Sequence, residues 1–504
     1  MTYKNIPKEE LNMLLYPSGK INTPLLGTKK IPIVYADFIA SGLPSPCIEK
    51  EIEHSIYPYY ANTHSNAHNG IFMKSHIENT KNIIRKQMNC CGGGAGGSSG
   101  DYNVLFSGSG VTGCINQLVN TIEYTKYKKI IIYLSLYEHY SNHLPWVEQS
   151  HKHSYIEIRY IPFVGDCGGG GGGTVNEGII DTDWLDEDIR KATTATATTK
   201  ANKTNTKTAK RTKTATTKTL IICSVSACSN VSGYVLPLTK IHNIIKKHRT
   251  RARSQCQFYF FCDYACSAPY VPIDGSLFDA FMFSGHKFIG GPSSPGVLVA
   301  KSCLFTKDIP SCVGGGGCSR FISDSHIEYD DNIETRESAG TPNILGIIRI
   351  GMAIQMKALY QATITRNENW LCRRIKEKSQ EYKHKYPAVF YDILPNEGEH
   401  LPIFSFYMTT LDCNLIVVLL NDLYGIQTRG GKSCSGLLAK YTTIHDKIQK
   451  WCRVSFHWTM TIDVINFIFS AIDDVLERGG QYKDLYVYNE DTHLFTYCGG
   501  NKVK

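Results

Sequence analysis

The chain has 504 residues, of which 42% are apolar and 11% aromatic, enough for two or three packed domains and too apolar for a disordered or collagen-like protein. Its net charge of +9 reflects 54 basic against 45 acidic residues. Eight of the basic side chains and no acid lie in residues 191–219 (KATTATATTKANKTNTKTAKRTKTATTKT); elsewhere 46 basic residues face 45 acidic ones, so nucleic acid is not expected as a partner of the folded part.

That Lys/Thr tract has no apolar periodicity and reads as a solvated, disordered insertion. No apolar run approaches the roughly 18 residues of a membrane helix, and MTYKNIPKEELNML resembles neither a signal nor a transit peptide. The expectation is a cytoplasmic protein with no membrane partner. The 18 cysteines lack metal-ligand spacing, Cys223 and Cys228 being five apart and Cys262 and Cys266 four apart. They read as small, reduced, buried hydrophobes, and no metal is expected.

In chain order, an N-terminal segment (1–34) precedes a long stretch in which short β-branched runs alternate with helical periodicity. Strands are predicted at 103–106, 129–134, 220–225, 258–263, 280–285 and 296–300, each apolar and followed by small or polar residues, as in a buried parallel sheet. Helices are predicted at 112–126, 238–248 and 344–362. Gly-rich insertions interrupt this region at 90–100 and 165–174, and VGGGGCSR at 313–320 reads as a turn. After 343 the character changes. A long helix, then LIVVLLND and CRVSFHW read as strands, suggests a smaller α+β domain over 344–504.

Three junctions in the 35–343 region carry chemistry. In AFMFSGHKFIGG, Lys287 ends an apolar strand between Ser284, His286 and a Gly-rich turn; such a lysine either snorkels to solvent or is desolvated into a carbonyl-reactive amine. In FCDYACSAPY, Asp263 closes a second strand, where a carboxylate caps the next turn or pairs with a cation such as a protonated cofactor ring nitrogen. In FSGSGVTGCIN, a glycine loop runs into a helix, leaving N–H groups near Gly110, Val111 and Thr112 for a phosphate.

Together with YEHYSNHLPW, CSNVSGYVLP and ESAGTPN, in this order, these motifs resemble the class V aminotransferase family from YADFIASG to about residue 460. These are fold-type I enzymes that use pyridoxal 5'-phosphate, and the nearest well-understood members are the cysteine desulfurases and selenocysteine lyases. The resemblance implies an α/β fold, with a large domain built on a mostly parallel, seven-stranded sheet. It implies that Lys287 carries the cofactor, that Asp263 pairs with its ring nitrogen, and that His139 stacks on the ring and relays protons. Thr112, Ser284 and His286, with the Gly110 and Val111 backbone, would hold the phosphate. Thr341 would reach the phosphate of a neighbouring subunit in a homodimer.

Asn230 and Arg453 would lie at the substrate carboxylate, and Arg429 would also bind substrate. Cys434, in GIQTRGGKSCSG with Arg429 and Lys432 beside it and Gly430 and Gly431 allowing movement, corresponds to the cysteine that takes sulfur from L-cysteine and hands it to an acceptor protein. Cys266 stands where these desulfurases usually carry a glutamine to the cofactor phenolic oxygen. A transaminase, β-lyase or selenocysteine lyase, or a non-catalytic binding protein of the same fold, are the alternative expectations.

Overall fold

The computed structural model describes residues 2–90, 102–165, 178–201, 218–252, 255–312, 314–323, 326–394, 397–441 and 450–499, without the side chains of 195–201 and 441. The Gly-rich insertions at 91–100 and 166–174, and 202–217 of the Lys/Thr tract, lie outside the described residues.

Seven strands form the main sheet: β1 (Tyr102–Ser107), β2 (Lys129–Ser135), β3 (Ile156–Ile161), β4 (Thr219–Ser226), β5 (Cys256–Asp263), β6 (Ala280–Ser284) and β7 (Gly296–Lys301). Their order is β1-β7-β6-β5-β4-β2-β3. β7 runs antiparallel to both of its neighbours, and the other pairings are parallel. Both faces are covered. Ile221, Val225, Phe258 and Phe260 enter one apolar cluster, while Leu220, Ile222, Tyr259 and Phe261 enter another on the opposite face. This is why the central strands read as unbroken apolar runs rather than alternating ones.

Of the helices, α1 (His68–Gln87), α2 (Val111–Thr121), α3 (Tyr140–Lys152), α4 (Thr182–Ala201) and α5 (Leu238–Arg251) accompany this sheet. α4 carries the chain through 191–201, the start of the tract expected to be disordered, as helix. The helix expected over 112–126 ends at Thr121, with a separate 3-10 turn at Tyr124–Lys126. The 344–362 helix is the start of α6 (Ile344–Lys385), whose 42 residues span about 63 Å. Its first half buries Ile347, Ile350 and Ile354 in the main core, and its second buries Leu371, Ile375 and Tyr382 in another.

That other core lies between a four-stranded antiparallel sheet and two helices. The strands are β8 (Phe390–Asp392), β9 (Ile403–Met408), β10 (Arg429–Gly431) and β11 (Trp451–Ser455), in the order β8-β9-β11-β10. The helices are α7 (Cys413–Tyr424) and α8 (Ile462–Arg478). LIVVLLND therefore belongs to a helix, contrary to the strand expected there. Asp412 caps it by accepting from the Asn414 N–H, and Leu415, Ile416, Leu419 and Leu420 fall on one buried face. A short apolar run has no visible period, so its flanking cap decides the outcome. In CRVSFHW the strand stops at Ser455. Among the described residues no helix is long and apolar enough to cross a membrane.

The N-terminal segment joins the two sheets. Val34–Tyr35 pairs in parallel with Ile426–Gln427, and Ser455 N donates to Ala36 O at 2.8 Å. Gly42 then lies directly on the turn that follows β6. Its N–H donates to His286 O at 3.0 Å, and a Cβ there would come within 2.0 Å of Phe288 O.

Candidate active site

The parallel strands β4, β5 and β6 end together, with Ser226 in register with Asp263 and Asp263 in register with Met282. Carboxyl ends of parallel strands are where open α/β sheets bind ligands. A cavity of about 230 Å³ opens there, and Asp263, Lys287, His139, Ser284 and Arg453 are in its wall. Lys287 sits in a 3-10 turn, Gly285–Lys287, immediately after β6. Burial lowers its amine pKa and the Arg453 and Arg429 charges add to this, while Cys266 and Asp263 oppose it. Asp263 is 3% exposed, and one of its oxygens accepts from the Ala265 N–H at 2.7 Å. Burial pushes its carboxyl up to about 6 against the pull of that N–H and of Lys287. It is thus a turn-capping residue and a cavity-wall carboxylate at once.

His139 caps α3, its Nδ1 accepting from the Ser141 N–H at 3.1 Å, which leaves the proton on Nε2. Burial, then Lys287, Arg453 and Arg429, depress its pKa to about 4, so the ring is neutral near pH 7. The preceding residue, Glu138, is wholly buried and accepts from the hydroxyls of Ser135 and Ser226, the Ser226 N–H and the Asn142 amide. Ring placement therefore rests on a satisfied polar network that ties α3 to β2 and β4.

At the head of α2, Gly110 has φ +60°, a conformation that favours glycine, and a Cβ there would meet Ser284 Oγ at 2.9 Å and His286 Cε1 at 3.1 Å. The Val111 N–H donates to Ser284 Oγ at 3.1 Å, and Thr112 Oγ1 lies 2.8 Å from Ser141 Oγ. α2 has neither an acidic residue nor a side-chain cap in its first turn. A helix start without a cap from its own N-cap residue, with hydroxyls and an imidazole beside it, suits an anion.

Opposite, Asp37 joins two guanidinium groups. Arg453 Nη2 donates to Asp37 Oδ1 at 2.7 Å, and Arg429 Nε to Oδ2 at 3.1 Å. Arg453 is 2% exposed and also donates to Asn230 O at 3.0 Å, while its Nε and the Asn230 Oδ1 are buried without a partner. Unmet polar atoms in a cavity wall mark where a polar ligand belongs. Asp37 escaped the sequence reading. Its one signal was a carboxylate inside the apolar run IVYADFIA.

Cys434 sits at the rim, exposed, outside the residues that line the cavity. Its loop is fixed at three points: Asn230 Nδ2 donates to Ser433 O at 2.8 Å, Tyr140 N to Cys434 O at 3.0 Å, and Trp451 Nε1 to Ser433 Oγ at 3.0 Å. Ser433 (φ +51°) and Cys434 (φ +55°) are consecutive non-glycine residues in the left-handed region, a strain of about 1–3 kcal/mol each. Gly430 and Gly431, expected to loosen this loop, belong to β10, and Gly430 packs against Asn414.

The aminotransferase class-V family profile matches residues 185–467, more than half of the chain. The chain belongs to the class V aminotransferase family. Its relatives include a cysteine desulfurase of Wigglesworthia glossinidia brevipalpis, 26% identical over 482 residues that cover 91% of this chain and 97% of that one. A probable cysteine desulfurase of Borreliella burgdorferi is 28% identical, covering 88% and 92% respectively. The apo structure of a cysteine desulfurase from Thermococcus onnurineus NA1 superposes with a TM-score of 0.70 at 20% identity, covering 95% of this chain and all of that one. The fold is the α/β architecture expected.

Class V aminotransferases are pyridoxal-phosphate enzymes, and the donor set here fits that cofactor, with a lysine amine, a buried carboxylate, a neutral imidazole and an anion cradle around one cavity. One wall departs from the usual family pattern. Cys266 Sγ lies 4.0 Å from Cys228 Sγ and 3.8 Å from Ser229 O. The Cys228 thiol, then Lys287 and Arg453, favour the Cys266 thiolate, and burial opposes it. Thr341 is on the surface, its hydroxyl accepting from Asn62 Nδ2 at 2.9 Å, and it is not in the wall of this cavity.

Proposed function

We propose that this protein is a pyridoxal-phosphate-dependent cysteine desulfurase, converting L-cysteine to L-alanine while its sulfur passes to Cys434 as a persulfide. The observation that carries the reading is convergence: Lys287, Asp263, His139 and Arg453 share one cavity, and the Cys434 loop is hydrogen-bonded to Asn230 in its wall. The cysteine desulfurase relatives, matched over nine-tenths of their length, support it.

Bound pyridoxal phosphate would supply an electron sink for the carbanion at the substrate Cα. Lys287 would hold it, Asp263 would pair with its ring nitrogen, and Ser284, His286, Thr112 and the start of α2 would take its phosphate. Arg453 binds the amino-acid carboxylate with its Nε, and Asn230 Oδ1 accepts from the amino group. The Lys287 amine, with its pKa lowered, removes the Cα proton and returns one to the product. His139, neutral, would lie against the ring, with its Nε2–H free to donate. Cys434 thiolate attacks the substrate sulfur, the C–S bond breaks, and the product carbon takes up a proton to become alanine. A homodimer, in which Thr341 reaches the neighbouring subunit, and a protein acceptor for the sulfur complete the proposal.

Purified protein given pyridoxal phosphate and L-cysteine is expected to release alanine and, with a thiol reductant, an equal amount of sulfide. Pyruvate or an unchanged substrate in place of alanine would overturn desulfuration. Arg453→Lys keeps the charge toward Asp37 but loses the Nε–H that meets the carboxylate. Its KM for L-cysteine is expected to rise about 10–100-fold, matching the cost of one charged hydrogen bond. An unchanged KM would move substrate recognition elsewhere.

A further inference from the structure

A second cavity, of about 540 Å³, shares a wall with the first. Ala227 and Tyr264 line it, whereas Cys228 and Ala265, next to them in the chain, line the Lys287 cavity. Its volume is in the range of small-molecule sites. Glu368 of α6 is in its wall, 5% exposed, and neither carboxylate oxygen has a hydrogen-bond partner. Nothing in the proposed desulfurase chemistry uses this residue.

A buried carboxyl group without a partner is costly, and here burial, with Cys266 adding to it, raises its pKa well above the ordinary range. Glu368, Cys372 and Lys376 fall at i, i+4 and i+8 on α6, and all three line the cavity. Eight residues of helix separate the first and last Cα atoms by about 12 Å, and side chains that lean toward the helix N-terminus bring the Lys376 head back toward Glu368. The rest of the wall is largely apolar, with Ile364, one turn before Glu368, and Val235, Val271 and Leu401. The Cys372 thiol is already engaged, donating to His400 O at 2.9 Å.

We propose that this cavity binds a small linear ω-ammonium carboxylate about five or six carbons long. Its ammonium group donates to Glu368, its stem lies along the apolar wall, and its carboxylate meets Lys376 at the mouth. An ammonium supplies what both unpartnered oxygens lack, since no cation of the protein hydrogen-bonds to them among the described residues. The site is independent of the reading given for Lys287.

Titration calorimetry of the full chain with 6-aminohexanoate tests it. Saturable one-to-one binding is expected, with hexanoate and hexylamine each at least about 10-fold weaker, as loss of one charged contact implies. Glu368→Gln, the same shape as the protonated acid, should weaken 6-aminohexanoate at least about 10-fold. Lys376→Met at the rim should weaken 6-aminohexanoate but not hexylamine, which guards against a folding defect in the core variant. Lys287→Ala should bind as well as the unaltered chain. Absence of saturation, equal affinity in Glu368→Gln, or binding lost on Lys287→Ala (an amine in the other cavity) would each overturn the proposal.

Discussion

Exchanging Lys287 for alanine is expected to lower alanine formation from L-cysteine by about 10³-fold or more, the size of effect seen when a positioned acid–base group is removed. Two losses combine. The amine that holds the cofactor disappears, and so does the group whose lowered pKa suits it to take and return the Cα proton. The geometry around it explains why no neighbour substitutes. His139 has its Nδ1 committed to Ser141 and is hard to protonate, and His286 is likewise depressed by burial and by Lys287 itself. The measurement is twofold: turnover, and the absorbance band at roughly 410–420 nm expected of a lysine-linked pyridoxal. Both should vanish in Lys287→Ala, while the melting temperature of the cofactor-free protein holds or rises, because a desolvated amine has been removed from the cavity. A variant that keeps the band would exclude Lys287 as the attachment point.

The residues on which that prediction rests were legible because each one ends a strand or starts a helix within a recognisable run. Asp263 ends β5 and Lys287 follows β6, strands whose apolar runs are visible in the sequence, and Gly110 precedes α2. Sequence periodicity works where burial is imposed by a layer on each side, as for β4 and β5. It failed for LIVVLLND, where only the Asp412 cap separates helix from strand. Asp37 was hidden for a different reason. Its partners Arg429 and Arg453 lie about four hundred residues downstream, and the link exists only because Val34–Tyr35 is paired to Ile426–Gln427. Glu368 gave no local signal either; a glutamate within RNENWLC looks like a solvated helix position until the second half of α6 is found buried.

Cys434→Ser separates sulfur transfer from the earlier steps. The cofactor wall contains none of Cys434, so the variant is expected to keep the pyridoxal band and to bind L-cysteine, yet to lose alanine formation by about 10³-fold, since an alcohol cannot accept sulfur as a thiolate does. The fold around it should be undisturbed. The backbone carbonyls of residues 433 and 434 are held by Asn230 and Tyr140, and the Ser433 hydroxyl by Trp451, so these bonds do not involve the thiol. Serine also tolerates the left-handed backbone about as well as cysteine, so the strain at these two positions is retained. That strain bears on the mechanism. A loop pinned at three points with its cysteine outward presents the thiol at the rim, where an acceptor protein can reach it, and needs a rearrangement of the left-handed pair to turn it inward toward substrate. Placing glycine at Ser433 relaxes one of the two strained residues, but it also removes the hydroxyl that Trp451 uses, so Cys434→Ser is the cleaner test. Mass spectrometry of the protein after L-cysteine should find a 32 Da gain on the peptide containing Cys434 in the unaltered chain, the mass of one sulfur atom, and none in the variant. Full alanine yield from Cys434→Ser would exclude this thiol as the sulfur acceptor and direct attention to Cys266, whose thiolate is favoured by Cys228, Lys287 and Arg453 and which lies in the cavity wall with Lys287.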